Sequence, residues 1–284
     1  MTLFTLCLCA VIIGVVEGIT EWLPVSSTGH MILVDELLGM KEGVSPEFYD
    51  FFLVAIQLGA ILAVVVLYFN KLNPFARKKS ADEKRATWRL WLCVVIGVLP
   101  AALIGIPLDD FFEEHLYGFP VVAAALVVYG IAFIVIERMR KDKPCRVESI
   151  YDLSLRDALL IGCFQALSLI PGTSRSGSTI LGGMLLGVSR TAAAEFSFFM
   201  AAPVMAGASL IRGLKFIASG AGMTGREALV LAIGALVAFV VSLVAIRFLM
   251  NFVKKHSFES FGWYRIILGT LVLIFAISTG RLAA

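Results

Sequence analysis

Two stretches of this 284-residue chain concentrate side chains that could do chemistry, Glu17–His30 and Pro171–Thr179. In the first, Glu17 and Glu21 are four residues apart, which on a helix puts both carboxylates on one face. Their neighbours Val15, Val16, Ile19, Trp22 and Leu23 are apolar. Like charges repel there and burial raises the cost of each, so a metal ion, an arginine or protonation of one carboxyl must compensate. The bland alternative is a solvated helix end at a membrane surface. Pro24 is expected to stop that helix close to Leu23. Ser26, Ser27 and Thr28 then supply three hydroxyls in a turn, Gly29 relieves the backbone, and His30 starts an apolar helix running to Leu38. Ser-Ser-Thr before a helix is also ordinary capping chemistry. Capping needs one hydroxyl, however, and here three stand beside a histidine.

In the second stretch Pro171 ends one helix, Gly172–Gly177 form a turn, and Thr179 leads into Leu181-Gly-Gly-Met-Leu-Leu-Gly187. Arg175 is the informative residue, because an arginine between apolar segments is costly unless paired. Its planar fork suits phosphate oxygens or a carboxylate, and the N–H groups opening the next helix add an anion site. A structural Arg175–Glu ion pair is compatible with that role. The two stretches are complementary: acids, hydroxyls and a histidine in one, a cation and anion-binding donors in the other.

The elements that must position them are membrane helices. The chain is 59% hydrophobic and 16% charged, against about 25% charged in soluble domains. Runs at Phe52–Phe69, Leu90–Ile106, Phe119–Ile136, Ala192–Ile211, Ala228–Ile246 and Arg265–Ser278 are long enough, or nearly so, to span a bilayer. Leu3–Val16 and Ala158–Ile170 are too short or too broken, and read as re-entrant segments that protein or a wet cavity must cover. The fold expected is therefore all-α and polytopic, with six transmembrane helices and two re-entrant helix pairs. Residues 3–16 lack a basic leader and a small-residue cleavage site, so they are not read as a signal peptide. Cys7, Cys9, Cys93, Cys145 and Cys163 show no ligand or disulfide spacing. A net charge of +3 gives no reason to expect nucleic acid.

Lys/Arg bias sets the orientation. Loops 70–89 and 137–156 and the Lys254-Lys255 pair are basic and are placed in the cytoplasm. Loop 107–118, with Asp109, Asp110, Glu113 and Glu114, is placed outside. Loop 212–227 should also be outside although it carries Arg212, Lys215 and Arg226. His115 and His256 in these loops read as solvated. Each half, about 1–140 and 150–284, then holds one re-entrant pair and three spans, and the odd number of spans inverts the second half. Gly14-Val-Val-Glu17 parallels Gly162-Cys-Phe-Gln165, and each is followed by a proline and a Ser/Thr/Gly loop. Matching Pro24 to Pro171 requires one inserted residue in the second loop. This reads as an inverted repeat within a single membrane domain, 1–284, with its site at the repeat interface.

Glu17-Gly-Ile-Thr-Glu21-Trp-Leu-Pro-Val-Ser-Ser-Thr-Gly-His30 and Pro171-Gly-Thr-Ser-Arg-Ser-Gly-Ser-Thr179 resemble the two signature motifs of the undecaprenyl-diphosphatase, or bacitracin-resistance, family. Gly187-Val-Ser-Arg190 and Ala194-Glu-Phe-Ser-Phe198 are similar to it as well, and the resemblance covers essentially the whole chain. It implies a multi-pass enzyme of the bacterial inner membrane. Such an enzyme hydrolyses undecaprenyl diphosphate to the monophosphate, recycles the carrier lipid of cell-wall synthesis and confers bacitracin resistance. It further implies a site opening to the extracytoplasmic side and a divalent cation, taken as magnesium or calcium. Membrane lipid, and a second copy of the chain in a homodimer, complete the partners considered.

On this reading Arg175 holds the terminal phosphate, with Ser26, Thr28, Thr173, Ser174, Ser176, Gly177 and Thr179 as further substrate contacts. Ser27 is the candidate nucleophile, activated by Glu21 or His30, and Glu17 with Glu21 would hold the cation. Direct attack by a metal-activated water competes with the serine. A secondary transporter or flippase for a lipid phosphate is the rival from another class, because inverted repeats and broken helices suit one as well. A phosphohistidine lipid phosphatase is rejected: its Lys-x6-Arg-Pro element is absent, and Leu181 stands where it needs a histidine.

Overall fold

The computed structural model describes residues 1–116 and 118–281, apart from the side chains of Asp109, Asp110 and Glu113. The expected acidic outer loop therefore falls partly outside the described residues. Ten helices carry the architecture: α1 Leu3–Thr20, α2 Ser27–Leu38, α3 Pro46–Leu67, α4 Ala81–Leu116, α5 Phe119–Arg140, α6 Leu155–Ala166, α7 Arg175–Leu185, α8 Arg190–Ala218, α9 Gly225–Val253 and α10 Glu259–Ser278. Short helical turns join some of them. The β pairing among the described residues is an isolated bridge between Val147 and Val188.

Among the described residues seven helices are long and apolar enough to cross a membrane, one more than expected. The addition is α1. Its apolar run reads as ending at Val16, but the helix continues through Glu17 and Gly18 to Thr20, because one buried carboxylate does not interrupt backbone hydrogen bonding. The long helices also outrun their apolar stretches. Ser45 caps α3, accepting from Phe48 N–H, and Pro46 opens it, since proline needs no N–H partner in a first turn. The acidic segment before Leu116 is the end of α4 rather than a loop, and Arg212 and Lys215 lie on α8. Polar side chains at helix ends can reach an interface while the backbone stays helical, so hydropathy alone undercounts these lengths.

Leu103, Val128, Leu236, Val244 and Ile274 are exposed apolar side chains on the long helices, suited to lipid contact. The interior is aromatic and dense, with Phe133, Phe196, Phe198 and Phe199 fully buried. Helix α1 packs on α9 and α6 packs on α4, while α5 pairs with α10 and α3 with α8. The first two contacts depend on glycine. A Cβ on Gly14 would sit 2.7 Å from the carbonyl oxygen of Gly234, and one on Gly162 would collide with the carbonyl of Gly97. Small residues let backbones approach where no water drives helices together. Helices α1 and α6 each lead into one of two turns whose side chains meet in the interior.

Candidate active site

Helix α1 ends at Thr20 and a turn over residues 21–25 leads to Ser26, the N-cap of α2. Helix α6 ends at Ala166, and a corresponding turn leads to Ser174, the N-cap of α7. Ser26 has φ 72° and Ser174 φ 71°, and they are the non-glycine residues with positive φ among those described. Such a conformation costs about 1–3 kcal/mol at a residue with a Cβ and persists where the surroundings enforce it. Each serine oxygen accepts from the N–H of the glycine three residues on, Gly29 at 3.3 Å and Gly177 at 3.1 Å. The interval from Ser26 to Ser174 equals that from Gly14 to Gly162. No insertion is needed, and Pro24 stands opposite Gly172 rather than Pro171.

These turns bring Glu21, Ser27 and Arg175 together. The Ser27 hydroxyl donates to Glu21 Oε2 at 3.1 Å, and Arg175 Nη2 donates to Glu21 Oε1 at 2.9 Å. Glu21 and Arg175 are both nearly buried. Arg175 Nη1 donates to the Ser197 carbonyl at 2.7 Å and reaches the Ser197 hydroxyl at 3.1 Å, while its Nε has no protein partner. The guanidinium lies 5.7 Å from the Trp22 ring, a distance suited to cation–π attraction.

Glu17 is 2% exposed and its Oε1 has no protein partner. With Glu21 one turn away, this leaves an orphaned carboxylate oxygen beside a second carboxylate. Among the described residues no three His, Cys, Asp or Glu side chains gather into a metal-binding cluster. Two carboxylates plus phosphate oxygens are nevertheless a suitable donor set for a hard divalent cation. Glu17, Ser27 and Thr28 line a cavity of about 560 Å³. It runs between α2 and α3 toward Asp35, Lys41 and Tyr49, where Lys41 pairs with Asp35 at 2.8 Å.

Other expected residues take different positions. His30 Nδ1–H donates to the Ser26 carbonyl at 2.8 Å, and Nε2 meets the Tyr264 hydroxyl at 2.6 Å. Both ring nitrogens are thus engaged away from Ser27, and Glu21 is the group that touches the serine. Thr173 donates into the turn, with the Ile170 carbonyl 2.7 Å away. The Thr179 hydroxyl lies 2.7 Å from that of Ser197. Ser174 and Ser176 hydroxyls are 3.1 Å apart, and Ser176 also reaches the Leu23 carbonyl at 3.3 Å.

Two residues take roles that the sequence does not assign them, Ser197 inside the Ala194–Phe198 segment and Arg265 outside the motifs. Ser197, on α8, orients Arg175 from within an apolar stretch. Arg265, on α10, is fully buried. It donates to the carbonyls of Pro24 at 3.2 Å, Gly172 at 2.8 Å and Thr173 at 3.0 Å, so one side chain holds both strained turns. Its guanidinium lies 5.4 Å from the Tyr129 ring. The signal was present, since Arg265 stands beside a long apolar run, where a charge is costly unless it has partners.

Residues 10–271 match the family described as bacitracin resistance protein BacA. The undecaprenyl-diphosphatase of Lactiplantibacillus plantarum is 55% identical over 264 residues, 93% of this chain and 95% of the relative. That of Limosilactobacillus fermentum is 55% identical over 266 residues, 94% of this chain and 96% of the relative. That of Enterococcus faecalis is 53% identical over 264 residues, with 93% and 95% covered.

Proposed function

The chain belongs to the bacitracin-resistance protein family, and from that premise we infer that it is an undecaprenyl-diphosphatase working through the Ser27–Glu21–Arg175 constellation. It hydrolyses undecaprenyl diphosphate to undecaprenyl phosphate and inorganic phosphate. The observation that carries the mechanism is the Glu21 carboxylate, which bridges the Ser27 hydroxyl at 3.1 Å and the Arg175 guanidinium at 2.9 Å.

Phosphoryl transfer demands positioning and stabilisation of charge. Ser27 Oγ attacks the terminal phosphorus and its proton passes to Glu21 Oε2. The bond from that phosphorus to the bridging oxygen breaks, and undecaprenyl phosphate leaves. Glu21 gives that proton up to the leaving phosphate, takes another from the water that attacks the phosphoserine, and returns it to the departing Ser27 oxygen as inorganic phosphate is released. Arg175 has N–H groups left for phosphate oxygens, its unpartnered Nε among them. Ser27 and Thr28 line the reaction cavity, and the helix N-terminus that they open favours an anion. His30 positions rather than reacts, because its Nδ1–H holds the carbonyl of strained Ser26. Glu17 and Glu21 would hold a divalent cation, magnesium or calcium, which when bound neutralises diphosphate charge.

In the cell the protein is read as resident in the bacterial inner membrane, with the cavity opening to the extracytoplasmic side. The basic segments at 70–89 and 137–156 support that orientation. The two halves, about 1–140 and 150–284, are read as an inverted repeat, supported by the equal spacing of Gly14/Gly162 and Ser26/Ser174. Membrane lipid surrounds it, and a homodimer is compatible with this arrangement.

Purified full-length protein given undecaprenyl diphosphate should release phosphate, and Ser27→Ala should lose both turnover and an acid-stable phosphoserine trapped during it. Full activity in Ser27→Ala would overturn the serine mechanism in favour of direct attack by water.

A further inference from the structure

A second cavity lies at the far end of α5. That helix runs from Phe119, which lines the reaction cavity, to Arg140, which lines the other. Its 22 residues separate the two ends by about 30 Å. The second cavity measures about 330 Å³, and its walls carry Arg140, Lys141, Lys143, Arg190 and Lys254. One carboxylate, Glu137, also lines it. Glu137 is already committed: Arg190 clasps it through Nε at 2.9 Å and Nη2 at 2.5 Å, and Phe258 N–H donates to it at 2.7 Å. Asp142, beside Lys141 in sequence, makes no ion pair among the described residues. Arg140, Lys141, Lys143 and Lys254 thus stand with no carboxylate partner around one concavity.

The cavity is built rather than a chance gathering of surface lysines. The strand-like segment on its rim is pinned to the turn after α7: Arg146 N–H donates to the Gly187 carbonyl at 2.8 Å, and Ser189 N–H to the Val147 carbonyl at 2.8 Å. Ser189, Arg190 and Thr191 open α8 there. Their end of a 29-residue helix adds positive potential. Met184, Val188 and Val253 supply an apolar floor.

We propose that this cavity binds a phosphomonoester group at the head of a membrane lipid. A phosphomonoester carries about −1.5 to −2 charges at neutral pH, matching several convergent cations better than a singly charged diester does. Basic pockets between transmembrane helices at a membrane surface are suited to phosphorylated headgroups. The apolar floor gives the lipid chains a wall to lie against.

Cys145 lines the cavity and is exposed, which provides a readout independent of turnover. Full-length protein in phosphatidylcholine nanodiscs is alkylated with a maleimide, and modification of Cys145 is followed by peptide mass spectrometry. Free cysteine in the same buffer serves as the control for reagent reactivity. Phosphatidic acid added to the nanodisc should slow Cys145 severalfold and leave the free thiol unchanged. The combined Lys141→Glu, Lys143→Glu and Lys254→Glu variant should shift half-protection by about a hundredfold while keeping phosphatase activity. Protection by inorganic phosphate as well would support the site and identify free phosphate as a sufficient ligand. Protection by phosphatidic acid alone would assign it to the lipid headgroup. Equal protection by the diester phosphatidylglycerol, no protection by any probe, or protection that survives the triple substitution would each overturn the proposal.

Discussion

Ser26 combines two properties that usually exclude each other, a capping side chain and a left-handed backbone. Replacing it separates them. Ser26→Ala removes the hydroxyl that accepts from Gly29 N–H and leaves the strain, and should destabilise by about 0.5–2 kcal/mol. Ser26→Gly also loses the hydroxyl but relieves the backbone, and should unfold close to wild type. Thermal unfolding in detergent checks the order, and a glycine variant less stable than the alanine variant would contradict the strain assignment. The same contrast should hold at Ser174. At this scale much of the site was legible beforehand. Glu21, Ser27 and Arg175 announce themselves because charged and hydroxyl side chains in apolar sequence need partners. Ser197 does not, because a lone serine among phenylalanines has the look of packing until the guanidinium beside it is seen. His30 has the look of a base in sequence, and its engagement by Tyr264 depends on a contact far away in the chain.

At the scale of elements, the glycines of α1 and α6 let these helices lie against neighbouring backbones. Gly14→Ala places a Cβ 2.7 Å from a carbonyl oxygen, and should cost about 1–3 kcal/mol through overpacking. Gly207→Ala provides the contrast. It lies on α8 with nothing within 4 Å of an added Cβ, and should be neutral or slightly stabilising through helix propensity. A similar melting temperature for the two variants would remove glycine packing from the explanation. The helical, membrane-spanning character of the chain was readable from its apolar runs. Helix ends were not, since Glu17 continues α1 and Ser45-Pro46 starts α3 well before Phe52. Nor was the register of the turns, because proline is a conspicuous landmark and Pro171 is not the counterpart of Pro24. The shared feature is a capped backbone turn, which hydropathy does not reveal.

For the molecule as a whole, the two cavities at opposite ends make accessibility the measurable quantity. Thr28→Cys, which lines the reaction cavity, should react with a membrane-impermeant maleimide added outside intact cells, whereas Cys145 should react only after the membrane is opened. The reverse pattern would invert the proposed orientation. Chelation of divalent cations should abolish phosphate release without unfolding the protein, and either magnesium or calcium should restore it. Persistent activity in chelator would exclude Glu17 and Glu21 as a required cation site.

Arg265 bears on what kind of machine this can be. It ties the carbonyl of Pro24 to those of Gly172 and Thr173, and the Glu21–Arg175 and Ser176–Leu23 contacts run alongside it. Each hydrogen bond from a charged donor is worth about 1.5–3 kcal/mol. Swinging one half of the chain past the other would break the Arg265–Pro24 and Arg175–Glu21 bonds together. These contacts clamp the two turns to each other like the halves of a vice, and the lipid diphosphate is the piece they would grip.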